Sequence, residues 1–169
     1  RGCGGGAGVR GTTVTGAAGG GGMTDGFGMR EGGSSQTVNG RVRSVECLDG
    51  TVSVDVEIEP RFDYGSARPW LRSHAAGVLS AVAGDDAIVV YANIELTIDR
   101  DASAIGGTHH LRAGEVFSIV MLSQAAHQLD VDATPDARSL LAETVRWWTE
   151  WSAATVADGP YAERLRRPA

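Results

Sequence analysis

TVSVDVEIEPRFDYGSARPW, Thr51 to Trp70, states its local structure more plainly than any other stretch of the chain. Val52, Val54, Val56 and Ile58 alternate with Ser53, Asp55, Glu57 and Glu59, the period of a strand with one dry and one wet face. Phe62 and Tyr64 keep the even, apolar register beyond Pro60. The pattern therefore predicts one long bent strand, or two strands with Pro60 at an edge or bulge.

Outward from this stretch the strand signals continue. Val38 to Leu48 reads as a strand, and Asp49-Gly50 predicts a hairpin turn leading into Thr51. On the carboxyl side, Gly77 to Val82 and Ala87 to Tyr91 flank the turn Gly84-Asp85-Asp86. Ile94, Leu96 and Ile98 alternate over Ile94 to Asp99. Thr108 to Arg112 and Val116 to Leu122 predict a second hairpin about Ala113-Gly114-Glu115. Strands at a spacing of about ten residues belong to a sandwich or barrel and not to βαβ units. The fold class is mainly β: an antiparallel β-sandwich followed by a C-terminal linker helix.

The helix begins where the period changes. Thr134 suits the N-cap, Pro135 the first helical position and Asp136 the positive end of the dipole, so a helix is predicted over 135–155. Leu141, Thr144, Trp148, Trp151 and Thr155 form its stripe, widened by Leu140 and Trp147. Trp147, Trp148 and Trp151 span too wide an arc for one contact surface, which predicts an interdomain packing role for part of the group. Asp158-Gly159-Pro160 ends the helix, and Tyr161 to Arg167 starts another.

Sixteen of the 24 glycines lie in residues 1–40. Ordering so many glycines is entropically costly, so residues 1–36 are expected to be poorly ordered or an edge-strand segment, with Thr12 to Thr15 and Met23 to Met29 as weak strands. Residues 37–133 form the sandwich and 134–169 the linker helix and the start of a further domain. Gly6, Gly8 and Gly11 fit G-x-G-x-x-G, but no strand precedes them and β-prone Thr12-Thr13-Val14-Thr15 follows, so a dinucleotide site is not expected.

The net charge is -6 and all 15 basic residues are arginine. That balance opposes nucleic-acid binding. No run approaches the ~18 apolar residues of a membrane span, and no charged-then-apolar start suggests a signal peptide. Cys3 and Cys47 are expected as two free thiols, which suits a reducing, cytoplasmic setting. The chain opens on Arg1 and stops at Arg167-Pro168-Ala169 without a helix-ending signal, and is expected to be a piece of a longer protein.

Residues able to do chemistry are sparse. His109 and His110 are adjacent in a predicted strand and point to opposite faces, so they do not share a metal; His74 and His127 stand alone in loop-like sequence. Asp85-Asp86, Asp99 with Asp101, and Asp130 with Asp132 read as solvated turns without the full ligand sequence of a calcium loop. There is no G-x-S-x-G elbow. No cofactor, metal ligand or catalytic residue is assigned. Arg61, Asp63, Tyr64, Arg68 and Trp70 form the one dense group of interaction-capable side chains. It reads either as a sugar or interdomain contact, or as a strand end locked by an arginine-carboxylate pair and an aromatic corner.

Arg61-Phe62-Asp63-Tyr64-Gly65 followed by Arg68-Pro69-Trp70 resembles the amino-terminal region of bacterial glucoamylase and trehalase-like enzymes of glycoside hydrolase family 15. Other pieces fall in the family's order. Thr12-Thr13-Val14-Thr15 with Thr24-Asp25 is similar to its strand and "T-D" turn. Val45-Glu46-Cys47-Leu48-Asp49-Gly50 resembles the hairpin before R-F-D-Y-G, and Leu111-Arg112-Ala113-Gly114-Glu115 its late hairpin. Trp147-Trp148 with Trp151, then Asp158-Gly159-Pro160-Tyr161, resembles its helical linker. The glycine-heavy start departs from the family.

The resemblance implies a supersandwich-type β domain packing on an (α/α)₆ barrel, where two glutamates carry inverting hydrolysis of trehalose or maltooligosaccharides. No residue here matches those catalytic motifs, so the chain alone is expected to be inactive, with the missing barrel as its partner and an oligosaccharide as a further candidate. The alternatives are a stand-alone carbohydrate-binding sandwich using Tyr64 and Trp70, and a purely structural domain.

Overall fold

A computed structural model describes residues 9–15, 19–29 and 39–154. The described residues are mainly antiparallel β with one C-terminal helix. Nine strands run in chain order: β1 (Val9–Thr15), β2 (Gly19–Phe27), β3 (Gly40–Ile58), β4 (Trp70–Ala75), β5 (Val78–Ala83), β6 (Asp86–Ala92), β7 (Thr97–Asp99), β8 (Ala104–Arg112) and β9 (Val116–Ala125); the helix is α1 (Ala137–Ala154). The larger sheet has the order β1-β2-β3-β9-β6-β5-β4, and the carboxyl half of β3 continues into a smaller sheet with β8 and β7. Among the described residues, no helix is long and apolar enough to cross a membrane.

The hairpin predicted at Asp49-Gly50 is not formed. β3 runs through it as one strand of 19 residues. A two-residue type I′ reversal needs two successive left-handed residues. Gly50 is left-handed at φ 62°, but Asp49 is not among the left-handed positions. Thr51 to Ile58 pairs with β8 instead, and Gly40 to Glu46 with β9. β8 and β9 thus lie end to end along β3, and the hairpin predicted between them about Ala113-Gly114-Glu115 is absent too, since neither pairs with the other.

Both turn signals serve a single corner. Cys47 N donates to Glu115 O (3.0 Å), Gly114 N to Cys47 O (2.8 Å) and Ala113 N to Gly50 O (3.0 Å), so the ribbon stays hydrogen-bonded while it swings from the larger sheet to the smaller. Gly50 and Gly114 supply the left-handed residues, at φ 62° and 84°. Cys47 sits fully buried at the corner as a free thiol. Cys3 lies outside the described residues.

The glycine run of β2 is fitted to this corner. Gly19 and Gly20 pair with Gly50 and Asp49, and Gly20 N donates to Asp49 Oδ1 at 2.8 Å. A Cβ on Gly19 would stand 2.4 Å from Asp49 O and 2.7 Å from Thr51 N. The glycines let a neighbouring backbone close on the bend. Thr24-Asp25, matched by resemblance to a turn, lies inside β2.

Two cores follow from two covered faces. Between the sheets pack Val45, Cys47, Phe62, Leu71, Leu79, Val90, Ile105, Leu111, Phe117 and Ile119. On the opposite face of the larger sheet, Val42, Val89, Tyr91 and Val120 are covered by Leu140 of α1 and by Leu129, Val131 and Ala133 of the strap preceding it. Burial of these faces from water is the main stabilising term.

The alternation at Val52, Val54, Val56 and Ile58 holds, with Ser53, Asp55, Glu57 and Glu59 exposed, but the apolar members are only half-buried. Among the described residues the carboxyl half of β3 has β8 as its single neighbour, and it lies at the margin of the core. β4 was not foreseen, and His74 lies on it and not in a loop, with Nε2 2.8 Å from Ser80 Oγ. The strand predicted over Ile94 to Asp99 pairs only at Thr97–Asp99.

The helix starts two residues late. Asp136, not Thr134, is the cap: its carboxylate accepts from Arg138 N (3.0 Å) and from Ser139 Oγ (2.6 Å). Its buried line is Leu140 and Thr144, with Leu141 half-buried. Thr144 Oγ1 donates to Leu140 O (2.7 Å) and accepts from Met29 N (3.0 Å), fastening the end of β2 to the helix. Thr155, Asp158-Gly159-Pro160 and the helix predicted from Tyr161 lie outside the described residues.

Candidate functional site

Phe62 decides where the R-F-D-Y-G stretch sits. It is buried, and its backbone bridges to Ala67, so residues 62–67 close into a small loop anchored on the sandwich core. Gly65 N donates to Phe62 O (2.8 Å) and Ser66 N to Asp63 O (3.0 Å). Within it Asp63, Tyr64 and Gly65 are all left-handed, at φ 46°, 54° and 91°. A left-handed backbone costs a residue with a Cβ roughly 1–2 kcal/mol. The strand parity that would have buried Tyr64 is broken there, and its side chain is fully exposed, at 109% of the reference area.

Of the five grouped residues, Arg61, Asp63, Arg68 and Trp70 turn to partners outside the group. Among them no hydrogen bond, ion pair or ring contact joins any two. Arg61 pairs with Glu59, and Asp63 accepts the hydroxyl of Ser66. The lock between an arginine and a carboxylate therefore forms with Glu59, two residues back, and not with Asp63. Arg68 reaches the loop between β7 and β8: Nε donates to Ser103 Oγ (2.6 Å), and one Nη donates to Arg100 O (2.7 Å) and Asp101 O (2.8 Å). This clamp ties the chain entering β4 to the smaller sheet where the two free edges approach. Trp70 stays exposed on β4 with the Arg72 guanidinium 4.9 Å over its ring.

At the far end of α1, Trp148 makes edge contacts with Trp147 (4.7 Å between centroids) and Trp151 (5.6 Å). Trp147 and Trp148 are half-buried and Trp151 is 51% exposed. The buried Nε1 of Trp148 has no hydrogen-bond partner among the described residues.

Two features had no signal in the sequence. One is a cavity of about 870 Å³ between the strap and the outer face of the larger sheet, lined by Val78, Tyr91, Asn93, Val120, Asp132 and Arg138 among others. Its polar groups largely satisfy one another: Tyr91 Oη donates to Asp130 O (2.8 Å), Ser118 N to Asn93 Oδ1 (2.7 Å) and Ser118 Oγ to Ser44 Oγ (3.2 Å). Burial pushes the Tyr91 phenol up, with the charges of Asp130 and Asp132 adding to it. Asp136 is held below the usual carboxylate range by the Ser139 hydroxyl and the Arg138 amide.

The other is Asp25, buried on the inner face of β2, where Arg43 grips it with Nε and Nη at 2.8 Å and Arg41 adds a bond at 3.1 Å. Burial alone raises its pKa, but the Arg43 and Arg41 hydrogen bonds and charges outweigh that, and the net shift is downward. A lowered carboxylate stabilises the fold above its unfolded value of 3.8 and loses that contribution as the pH falls through the folded value. Since the arginines are 37% and 42% exposed, Asp25→Asn is expected to cost about 1–2 kcal/mol at pH 7, below the range for fully buried pairs. In thermal unfolding from pH 7 to 2.5, the gap between wild type and variant should hold to about pH 4 and then close. A gap unchanged at pH 2.5 would remove the ion pair as its cause.

Set beside known proteins, the chain matches no family model and no curated protein. Among solved structures, a protein named as a kojibiose phosphorylase from human microbiome aligns with 94% of this chain at 10% identity and a TM-score of 0.45. The chain spans 22% of that protein. At that level the likeness shows neither fold nor function.

Proposed function

We propose that the chain is the accessory β-sandwich, with its connecting helix, of a larger enzyme that hydrolyses α-glucosidic bonds in trehalose or maltooligosaccharides, with the chemistry held by a domain encoded outside this sequence. The observation that carries the reading is the R-F-D-Y-G loop. The motif that resembles family 15 enzymes folds into a strained loop that presents Tyr64 outward and engages Asp63 with Ser66. Inverting hydrolysis needs an acid and a base carboxyl about 6.5–9.5 Å apart across a bound sugar, the acid with a raised pKa. Among the described residues, Asp25 and Asp136 are held below the usual carboxylate range, against the requirement for a general acid.

The carbohydrate-binding alternative finds less support. Trp70 has one ring face covered by Arg72, and the polar neighbours of Tyr64 are engaged inside the chain. The experiment is glucose release by the native gene product from trehalose, maltose and maltotetraose. Release from at least one is expected. Release from none would remove the reading.

A further inference from the structure

We infer that Asn39-Gly40 is a self-modifying site, at which the main-chain nitrogen of Gly40 attacks the side-chain carboxamide of Asn39 and converts it to aspartate and isoaspartate. Asn39 is exposed at the bend where the chain enters β3. Its carbonyl accepts from Ser123 N (2.7 Å) and so faces β9, which turns the N–H and C=O of Gly40 the other way, toward the end of β2. There Gly40 O accepts from Gly28 N (2.9 Å). The return bond is not made: β2 has ended at Phe27, and among the described residues Gly40 N has no backbone acceptor. The Asn39 carboxamide has no partner among the described residues either. Nucleophile and electrophile are thus adjacent, exposed and unengaged.

The chemistry needs only water. Gly40 N loses its proton to hydroxide, and its electron pair forms a bond to Asn39 Cγ, closing a five-membered succinimide; the Cγ–Nδ2 bond breaks and Nδ2 leaves as ammonia. Hydroxide then adds to either ring carbonyl, the bond from that carbon to nitrogen breaks, and the nitrogen takes a proton back. The net change is water consumed and ammonia released. Closure within one chain segment has a high effective concentration, and Gly40, lacking a Cβ, puts nothing in the path of the approach. Opening on the side-chain carbonyl gives aspartate. Opening on the main-chain carbonyl gives isoaspartate, in which the chain runs through Asn39 Cβ and Cγ and the group that held Ser123 N becomes a free carboxylate. Asn93, the other asparagine of the chain, is the internal contrast. It too is exposed, but its Oδ1 accepts from Ser118 N (2.7 Å), its own N donates to Ser118 O (3.3 Å), and the nitrogen beside it belongs to β-branched Ile94.

The native gene product, kept folded in mildly alkaline buffer, is sampled over time, digested with trypsin and read by mass spectrometry with fragmentation. Cleavage at arginine places Asn39 in peptide 31–41 and Asn93 in peptide 73–100. Position 39 is expected to gain the mass of OH over NH₂, as two products separable by chromatography, at least about tenfold faster than position 93, or ~1.4 kcal/mol in barrier. Transfer to urea should change the rate at position 39 by less than about tenfold, because the fold already leaves the site open. Asn39→Gln should lose the conversion, since its ring would need six members. Conversion at position 39 that is absent from the folded protein, no faster than at position 93, or more than about tenfold faster in urea would each overturn the inference. None of these outcomes depends on whether the product releases glucose.

Discussion

Gly19→Ala is expected to destabilise the chain by about 3 kcal/mol, at the upper end of the usual cost of overpacking. The added Cβ would meet Asp49 O at 2.4 Å, Thr51 N at 2.7 Å and Thr51 O at 2.8 Å. All three are backbone atoms of the corner in β3, which cannot rotate away as a side chain would. Relief requires that β2 part from β3 or that the corner open, and the corner is what turns β3, with β9 and then β8 beside it, from one sheet to the other. Against a total stability of about 5–15 kcal/mol, 3 kcal/mol is a large fraction, and should lower the unfolding midpoint by roughly 6–12 °C. Gly22→Ala is the control. Among the described side chains its Cβ would meet only the end of Leu48, at 3.9 Å, and the change should stay within about 0.5 kcal/mol of neutral. Thermal unfolding followed by circular dichroism compares the two. Equal midpoints for Gly19→Ala and wild type would mean that the glycine run is not fitted to the corner.

How much of this was legible depends on whether the deciding interaction is local. The alternation from Val52 to Ile58 depends on the pleat of a single strand, so its parity could be read directly. Asp49-Gly50 could not be read in the same way. A glycine that permits a left-handed residue serves a reversal or a bend equally well, and the choice is made by β9, β2 and β8, which lie far away in sequence. The same holds at Gly114. β4 escaped notice because Leu71 is its one buried residue, too few for a period. Thr134 and Asp136 are both competent caps, and the strap that covers Tyr91 and Val120 takes up the residues between them.

At the candidate site the types of residue were legible and their partners were not. Arg68, Trp70 and Tyr64 stood out by composition alone. That Arg68 would clamp carbonyls more than 30 positions away, and that Tyr64 would leave the strand register on a left-handed backbone, had no local signal. Asp25 was seen only as part of a supposed turn, because its arginine partners come from β3.

The division of labour proposed for this chain, an accessory sandwich and a separate domain that hydrolyses, is tested most directly by glucose release from trehalose and maltotetraose. Purified chain 1–169 is compared with the native gene product at equal molar concentration. The expected result is release by the native product and none by the chain alone. Among its described acids Asp25 is held below the usual carboxylate range by arginine and Asp136 by the Ser139 hydroxyl, the opposite of the raised pKa that a glycosidic acid requires. Glucose release by the chain alone that survived repurification, and vanished on replacing one of its own Asp or Glu residues, would contradict the account.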